Sequence, residues 1–326
     1  MTGARAAIDA ALSELGDRAV EGASLAPLTT YRAGGPAAVL VADAGLDDLR
    51  AVARAVVASG LPVLVVGRGS NLLVADRGFP GIVVTLGEAL ATVEVSDATV
   101  VAGGGAALPV VARRTAGAAL TGFEWAVGVP GSIGGAVRMN AGGHGSDMAA
   151  VLVGVHVFDV GTGEDGWVPA DALHLGYRRS SLRATQIVVS AELALARGER
   201  EAAEAEIASI VRWRRANQPG GANAGSVFAN PAGRSAGELV DVAGLKGFRR
   251  GSAHVSTKHA NFIQVDEGGS ADDVAGLMAD VRARVLGATG HDLHAETRLV
   301  GFTAEVASAA GADLDDPSLD PGPTAP

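Results

Sequence analysis

The chemistry most plainly written in this chain lies in two glycine-rich stretches. Gly128-Val-Pro-Gly-Ser-Ile-Gly-Gly-Ala-Val-Arg-Met-Asn-Ala-Gly-Gly143 holds six glycines, and Val66-Gly-Arg-Gly-Ser-Asn-Leu-Leu-Val74 directly follows the apolar run Leu61 to Val66. Glycine loses more backbone freedom on ordering than any other residue, so such stretches are costly to fold. What they offer is bare backbone N–H groups that can approach a bulky anion, the usual way of holding a diphosphate. Two such loops fed by strands point to one large dinucleotide cofactor. Neither is a Rossmann fingerprint: Gly67-Arg-Gly-Ser-Asn-Leu has no third glycine, and β-rich sequence follows it where a helix should open.

Five further segments stand in a fixed order beyond these loops. They are Gly176-Tyr-Arg-Arg-Ser180, Ala224-Gly-Ser-Val-Phe-Ala-Asn-Pro231, Gly244-Leu-Lys-Gly-Phe248, Val255-Ser-Thr-Lys-His-Ala-Asn-Phe262 and His294-Ala-Glu-Thr-Arg-Leu-Val-Gly301. With the loops they span Leu28 to Phe302, and the set resembles the UDP-N-acetylenolpyruvoylglucosamine reductases, flavoenzymes of peptidoglycan precursor synthesis. Only about 50 residues separate Tyr177 from Ser226, which resembles the shorter-loop class of that family.

The resemblance implies a fold and a reaction. The fold is α+β: a two-part FAD-binding region of the p-cresol methylhydroxylase type, followed by a C-terminal α+β domain that closes over substrate. The reaction passes hydride from NADPH through non-covalent FAD to the methylene carbon of an enolpyruvyl ether. Negative charge then spreads into the neighbouring carboxylate and one proton must be supplied. By motif position Ser226 is the proton donor, Arg178 rather than its neighbour Arg179 stabilises the enolate, and Glu296 is the third catalytic residue. A planar bidentate donor suits the role given to Arg178.

The cofactor residues carried over are Gly67, Gly69, Ser70, Asn71 and Leu72 in the first loop. In the second they are Gly128, Pro130, Gly131, Ser132, Gly134, Gly135 and Ala136, then Asn140, Ala141 and Gly142 at its end. Val188, and Tyr31 and Arg32 in Thr29-Thr-Tyr-Arg-Ala-Gly-Gly35, are expected beside the flavin. Tyr177, Asn230, Lys246, Lys258 and His259 are expected on the UDP-sugar. The only two lysines of the chain are Lys246 and Lys258, which fits sites needing a compact ammonium that an arginine fork does not imitate. Two positions depart from the family pattern: Ala229 and Asn217 stand where a basic residue is common, which leaves open which cations hold the diphosphate. Two other readings fit parts of the pattern, another FAD oxidoreductase of the same fold and a non-catalytic flavin or nucleotide-sugar binder. Colour separates them from a protein with no flavin, and NADPH oxidation on the enolpyruvyl substrate separates them from the reductase.

Composition narrows the classes. The net charge of −10 argues against nucleic acid as a partner. With no cysteine there is neither a disulfide framework nor a thiolate metal site, and His291 and His294 read as ordinary loop and strand histidines, so no metal is expected. The N-terminus lacks the apolar run of a signal peptide and no apolar stretch reaches membrane-spanning length. The expectation is a cytoplasmic protein with a small-molecule partner.

The elements that must position these residues can be read from periodicity. Arg5 to Leu15 and Asp47 to Ser59 have apolar residues at helical spacing, the second stopping at Gly60. Pro62 to Val66, Ile82 to Leu86, Ala91 to Val95 and Thr99 to Ala102 read as short strands. Leu108 to Leu120 reads as helix, and Val151 to Asp159 and Ile187 to Leu195 as longer strands. Glu199 to Asn217 reads as a long helix broken by Gln218-Pro219. Ser235 to Val242 and Asp272 to Leu286 read as helices, Ser252 to Val255 and Asn261 to Val265 as strands, and Leu293 to Phe302 as a last strand. The division expected is an N-terminal helix over 1–20, an FAD-binding domain over 21–198 split near 88, a substrate-binding domain over 199–303, and a disordered acidic tail over 304–326.

Overall fold

The computed structural model describes residues 2–313. In its N-terminal unit, Phe79–Leu86 pairs in parallel with Ala37–Ala44 on one side and Val63–Val66 on the other. The helices Thr2–Leu15 and Leu46–Ser59 cover one face. The second of these begins where Asp48 receives the Gly45 N–H at 2.9 Å and ends at Gly60, whose φ of 66° is the left-handed stop. Leu49, Val52, Val39, Val41, Ile82 and Val84 form the core between them.

The middle unit is a five-stranded antiparallel sheet in which Gln186–Ala194 lies between Leu152–Asp159 and Thr99–Gly103. Its register shifts by one residue, Val157 facing Val188 but His156 facing Ser190. That bulge reverses the alternation along the strand. Ile187 and Val189 therefore join the core of the first unit, while Val188, Ala191 and Leu193 join a second core with Leu108, Trp125 and Ile133. The sheet is buried on both faces, and the two units are welded through it.

The helix Arg200–Asn217 packs on this second core through Ala203, Ile207 and Ile210. Its packing supports a boundary near 218 rather than the expected 199, because its apolar face has its partners in the middle unit. The C-terminal unit is a three-stranded antiparallel sheet of Arg249–Arg250, Ala253–Val255 and Ile263–Val265 with the helices Ala236–Val242 and Ala271–Thr289. Two expectations are corrected here. The last strand is only Arg298–Val300, paired in parallel with Leu72–Val74. Leu293 to Thr297 remains extended but divides its hydrogen bonds among separate partners: Ala295 N–H goes to Gly311 O and Glu296 N–H to Val227 O, both at 2.8 Å. The segment expected to be disordered from 304 opens instead with a helix, Ala304–Ala309, capped by Thr303. Its small Ala307 and the following Ala310 bury in the C-terminal core, while Glu305 and Asp313 stay exposed; the rest of that tail lies outside the described residues. No described helix is long and apolar enough to cross a membrane.

Candidate active site

A cavity of about 370 Å³ opens where the three units meet, within the range of cofactor and ligand sites. Both glycine loops line it, and their glycines are required by close backbone approaches. Gly69 has φ +59°, and a Cβ there would sit 2.0 Å from the Leu28 carbonyl; one on Gly67 would meet the Ser132 hydroxyl at 2.3 Å. The second loop turns into the short helix Ile133–Arg138, with the Ser132 hydroxyl accepting from Gly135 N–H at 3.4 Å. Gly134 N–H goes to Gly104 O at 2.8 Å, and Gly104 lies so near the Val188 carbonyl that a Cβ would be 1.8 Å away.

Of the expected cofactor residues, Gly67, Gly69, Ser70, Asn71, Leu72, Gly128, Pro130, Gly131, Ser132, Gly135, Ala136, Ala141 and Gly142 line the cavity. Five do not. Gly134 and Val188 lie behind the loops as packing partners, Val188 with its side chain in the middle core. Asn140 is buried with φ 38°, and its side chain is spent on Asp147 and Gly176 O, both at 3.1 Å, and on Ala149 N–H at 2.9 Å. Those bonds hold the turn that presents Tyr177 and Arg178. Tyr31 has no exposed surface with which to touch a flavin: it sits in the C-terminal core with Val227 and Phe228, and burial pushes its hydroxyl well up, opposed by the Ala224 backbone. Arg32 is exposed outside the cavity lining. The Gly34-Gly35 that follows explains this motif, since a Cβ on Gly35 would lie 2.1 Å from Asp76 O.

All three catalytic candidates face the cavity. Arg178, at φ 57°, directs Nε to Glu296 Oε1 at 2.6 Å and its terminal nitrogens to Asn140 O and Gly142 O at 3.5 and 3.3 Å. Burial pushes the Glu296 carboxyl up, and Arg178 pulls the other way without cancelling it. Ser226 follows Gly225, whose φ of 77° suits only glycine comfortably and whose N–H is held by Asn223 at 3.1 Å. Behind Ser226, Phe228 is clamped at both backbone groups by the Asn261 amide, at 3.0 and 2.8 Å. Asn71 ties the first loop to the same segment, its Nδ2 to Glu296 O at 3.1 Å.

Tyr177 lies at the cavity with the Arg178 guanidinium 5.1 Å from its ring, and Asn230 also lines it. Lys246, Lys258 and His259 stand back. Lys246 pairs with Asp241 at 2.7 Å and Lys258 reaches Arg215 O at 2.5 Å. His259 stacks edge-on against Phe262, a lining residue, with ring centres 4.7 Å apart. Burial first, and then the charge of Lys246, pull the His259 imidazole down.

Sequence reasoning offered Arg214, with Arg215, only as the alternative to Lys246 and passed over Arg138 and Arg298 as cations of the site. Arg138, Arg214 and Arg298 join Arg68 and Arg178 there, five arginines against the one glutamate. Arg138 donates to Leu182 O, Arg183 O and Gln186 O, and burial lowers its pKa to about 10. Burial, then the neighbouring Arg138, lowers Arg298 to about 10, with Asp313 opposing. Arg214 donates to Gly128 O and holds Gln218 at 2.8 Å. The only signal for Arg138 and Arg298 lay inside motifs chosen for other residues, two places from Glu296 for Arg298 and one before Met139 for Arg138. A chain of net charge −10 therefore carries a strongly cationic cavity, as polyphosphate ligands require.

Two family models match the chain. Residues 36–165 match the family model of an FAD binding domain, and residues 217–300 that of the UDP-N-acetylenolpyruvoylglucosamine reductase C-terminal domain. The reductase of that name from Heliobacterium modesticaldum is 43% identical over 291 residues, covering 87% of this chain and 91% of its own. The one from Bacillus subtilis is 38% identical over 281 residues, covering 85% and 92%. The crystal structure of the Thermus caldophilus enzyme superposes with a TM-score of 0.73 at 35% identity, covering 86% of this chain and 98% of that one. A two-part FAD-binding fold, a C-terminal domain of matching type and kinship over nearly the whole length lead to one conclusion: this chain belongs to the UDP-N-acetylenolpyruvoylglucosamine reductase family of FAD-dependent oxidoreductases.

Proposed function

We propose that this protein reduces the enolpyruvyl double bond of UDP-N-acetylenolpyruvoylglucosamine to give UDP-N-acetylmuramate, in the cytoplasm, with NADPH as reductant. The observation that carries the reading is the convergence of Ser226 and the Arg178–Glu296 pair on a cavity walled by both glycine loops and lined by arginines. The cavity fits FAD: both glycine loops line it, so a diphosphate can approach their backbone closely, and Leu72, Leu108 and Val63 supply apolar wall. Gly67, Gly69, Ser70, Gly131, Ser132 and Gly135 would hold the cofactor, with Arg138 and Arg298 for its negative charge. Bound FAD supplies the hydride.

The chain's own residues do the rest. Arg178 has five N–H groups; three are directed at Glu296, Asn140 and Gly142, which leaves two for a substrate carboxylate. As charge spreads from the α-carbon into that carboxylate, the guanidinium stabilises the enolate more than the ground state, which is what lowers a barrier. Glu296 fixes the direction of the guanidinium through Nε. The Ser226 hydroxyl, on the segment whose backbone Asn261 clamps at Phe228, gives its proton to the α-carbon, a transfer driven by the basicity of the enolate. Addition of hydride at the methylene and a proton at the α-carbon completes the reduction. Asn230 and Tyr177 meet the nucleotide sugar from the cavity edge, and Lys246 reaches its diphosphate on exchanging Asp241 for it.

The test is NADPH consumption by the purified yellow protein with and without the enolpyruvyl substrate. Substrate-dependent oxidation with formation of the lactyl ether is expected. NADPH oxidation indifferent to that substrate would overturn the assignment while leaving the flavoprotein intact.

A further inference from the structure

The turn that follows the first flavin loop grips the C-terminal domain at a point far along the sequence. Asp76, two residues beyond the strand Leu72–Val74, places its carboxylate over the start of the helix Ala271–Thr289. Oδ1 accepts from Ala271 N–H at 2.9 Å, Oδ2 accepts from Asp272 N–H at 3.2 Å, and the Ser270 hydroxyl donates to Oδ2. The bond is returned, since Asp76 N–H donates to Asp272 Oδ1 at 3.2 Å. Each side thus caps the other, as in a capping box whose two halves belong to different domains. A carboxylate this close to the acids of the first helical turn is unfavourable unless it receives several donors and the positive end of the helix dipole, and here it receives both.

The neighbouring contacts are all made by the same short turn. Ala75 N–H donates to Val300 O at 2.9 Å, Arg77 Nε to Gly301 O, and Gly301, at φ 76°, lies so close that a Cβ would be 2.2 Å from Gly78 O. Between the flavin loop and Glu296 the ladder has three residue pairs, Arg298 with Leu72, Leu299 with Leu73 and Val300 with Val74, extended only by the bonds of Asn71 to Arg298 N–H and Glu296 O. So short a ladder defines a line of contact but resists rotation and slippage poorly, and a slip of one residue would turn the Glu296 segment over. The Asp76 cap is a second anchor on a different element of the domain, and two anchors fix an orientation where one does not.

We propose that Asp76 is a positioning residue: by capping the helix Ala271–Thr289 it holds Ser226 and Glu296 of the C-terminal domain in place over the flavin loop 67–72. The proposal rests on the reductase reading above, since it concerns the placement of that reaction's proton donor. It assigns Asp76 no contact with substrate or flavin.

The test uses the holoenzyme in two reactions that share the flavin but differ in their need for the C-terminal domain. NADPH-reduced protein is reoxidised either by the enolpyruvyl substrate or by ferricyanide, which needs no Ser226. Failure of the wild-type protein to reoxidise with the substrate would sink the functional reading itself and leave the cap as described. With the wild type competent, Asp76→Ala should slow substrate-driven reoxidation about tenfold or more, since an ångström of misplacement can cost about a hundredfold. Asp76→Asn, which keeps one acceptor, should lose less. Ferricyanide-driven reoxidation and flavin content should stay within about twofold of wild type. Asp272→Ala, which removes only the acceptor for the Asp76 N–H, carries the same test from the other domain should Asp76→Ala fold poorly. An unchanged substrate-driven rate in these variants, or a parallel fall in flavin content and in both rates, would overturn the positioning role.

Discussion

A serine hydroxyl is a weak acid, so Ser226 can serve only where its proton meets a strong base and its own position is fixed. The enolate provides the first condition and the Asn261 clamp on Phe228 the second. Ser226→Ala should leave flavin reduction by NADPH nearly unchanged and slow reoxidation by the enolpyruvyl substrate by about 10²–10⁴-fold. Stopped-flow reoxidation equal to wild type would remove Ser226 from the mechanism. Glu296 makes a prediction of a different kind, because burial raises its carboxyl above the ordinary value of 4.5 despite Arg178. A group raised on folding leaves the folded protein holding more protons than the unfolded chain between the two values. Its contribution to stability is therefore complete below the ordinary value and is lost as pH rises through the raised one. Glu296→Gln stays neutral throughout, so its Tm relative to wild type should climb from about pH 4 towards neutrality. Thermal melts at several pH values decide it; a Tm difference independent of pH would mean that Glu296 is no harder to ionise than a surface glutamate.

At the scale of elements, the glycine loops behave as hinges between backbones rather than as loose turns. Gly69→Ala would place a methyl 2.0 Å from Leu28 O at a positive φ, a conformation costing on the order of 1–3 kcal/mol before any clash. The variant should purify with much of its flavin lost, and full retention of FAD would show that the loop adjusts. The loops were legible because glycine spacing reports backbone geometry directly, and the helices because their apolar periods and stops are local. Tyr31 was misread because a tyrosine in a glycine-rich motif looks alike whether its ring faces a cofactor or a core, and only the fold of the C-terminal domain buries it. The Leu293 to Phe302 alternation was real, since Leu293, Thr297 and Leu299 are buried. What it could not reveal was that several partners far apart in sequence share that segment. Arg138 and Arg298 were passed over as cavity cations for the same reason, whereas Arg214 could be named from its place just before Gln218-Pro219. Lys246 belongs between these cases: held by Asp241 and outside the cavity lining, it must change partner to reach a diphosphate. Lys246→Ala should raise KM about tenfold with kcat little changed, because a diphosphate contact is present in ground and transition states alike. An unchanged KM would pass the role to Arg214, already at the cavity wall.

For the whole molecule, the decisive contrast is between a chain of net charge −10 and a central cavity where five arginines meet one glutamate. All three units contribute to its walls, so what binds there is coupled to the stability of each interface. Arg138 opposes the ionisation of Arg298 while Asp313 favours it, and a bound anion would add to what Asp313 supplies. Removal of FAD should therefore destabilise the protein twice over, through lost binding free energy and through the loss of its negative charge among the cavity arginines. Ligand at a hundred times its Kd contributes about 2.7 kcal/mol, which for a chain of this size amounts to a fall in Tm of about 4 °C when it is stripped. The second contribution can be separated from the first with a ligand that supplies charge but no isoalloxazine ring. Inorganic pyrophosphate added to the apoprotein should recover part of the lost Tm, chloride at equal ionic strength should recover little, and the difference should shrink in Arg138→Ala and Arg298→Ala. The bidentate fit of guanidinium to phosphate is what distinguishes the two anions. If pyrophosphate and chloride act alike on the apoprotein, the arginines are serving the packing of the three units, and the anion site must be sought in the glycine loops alone.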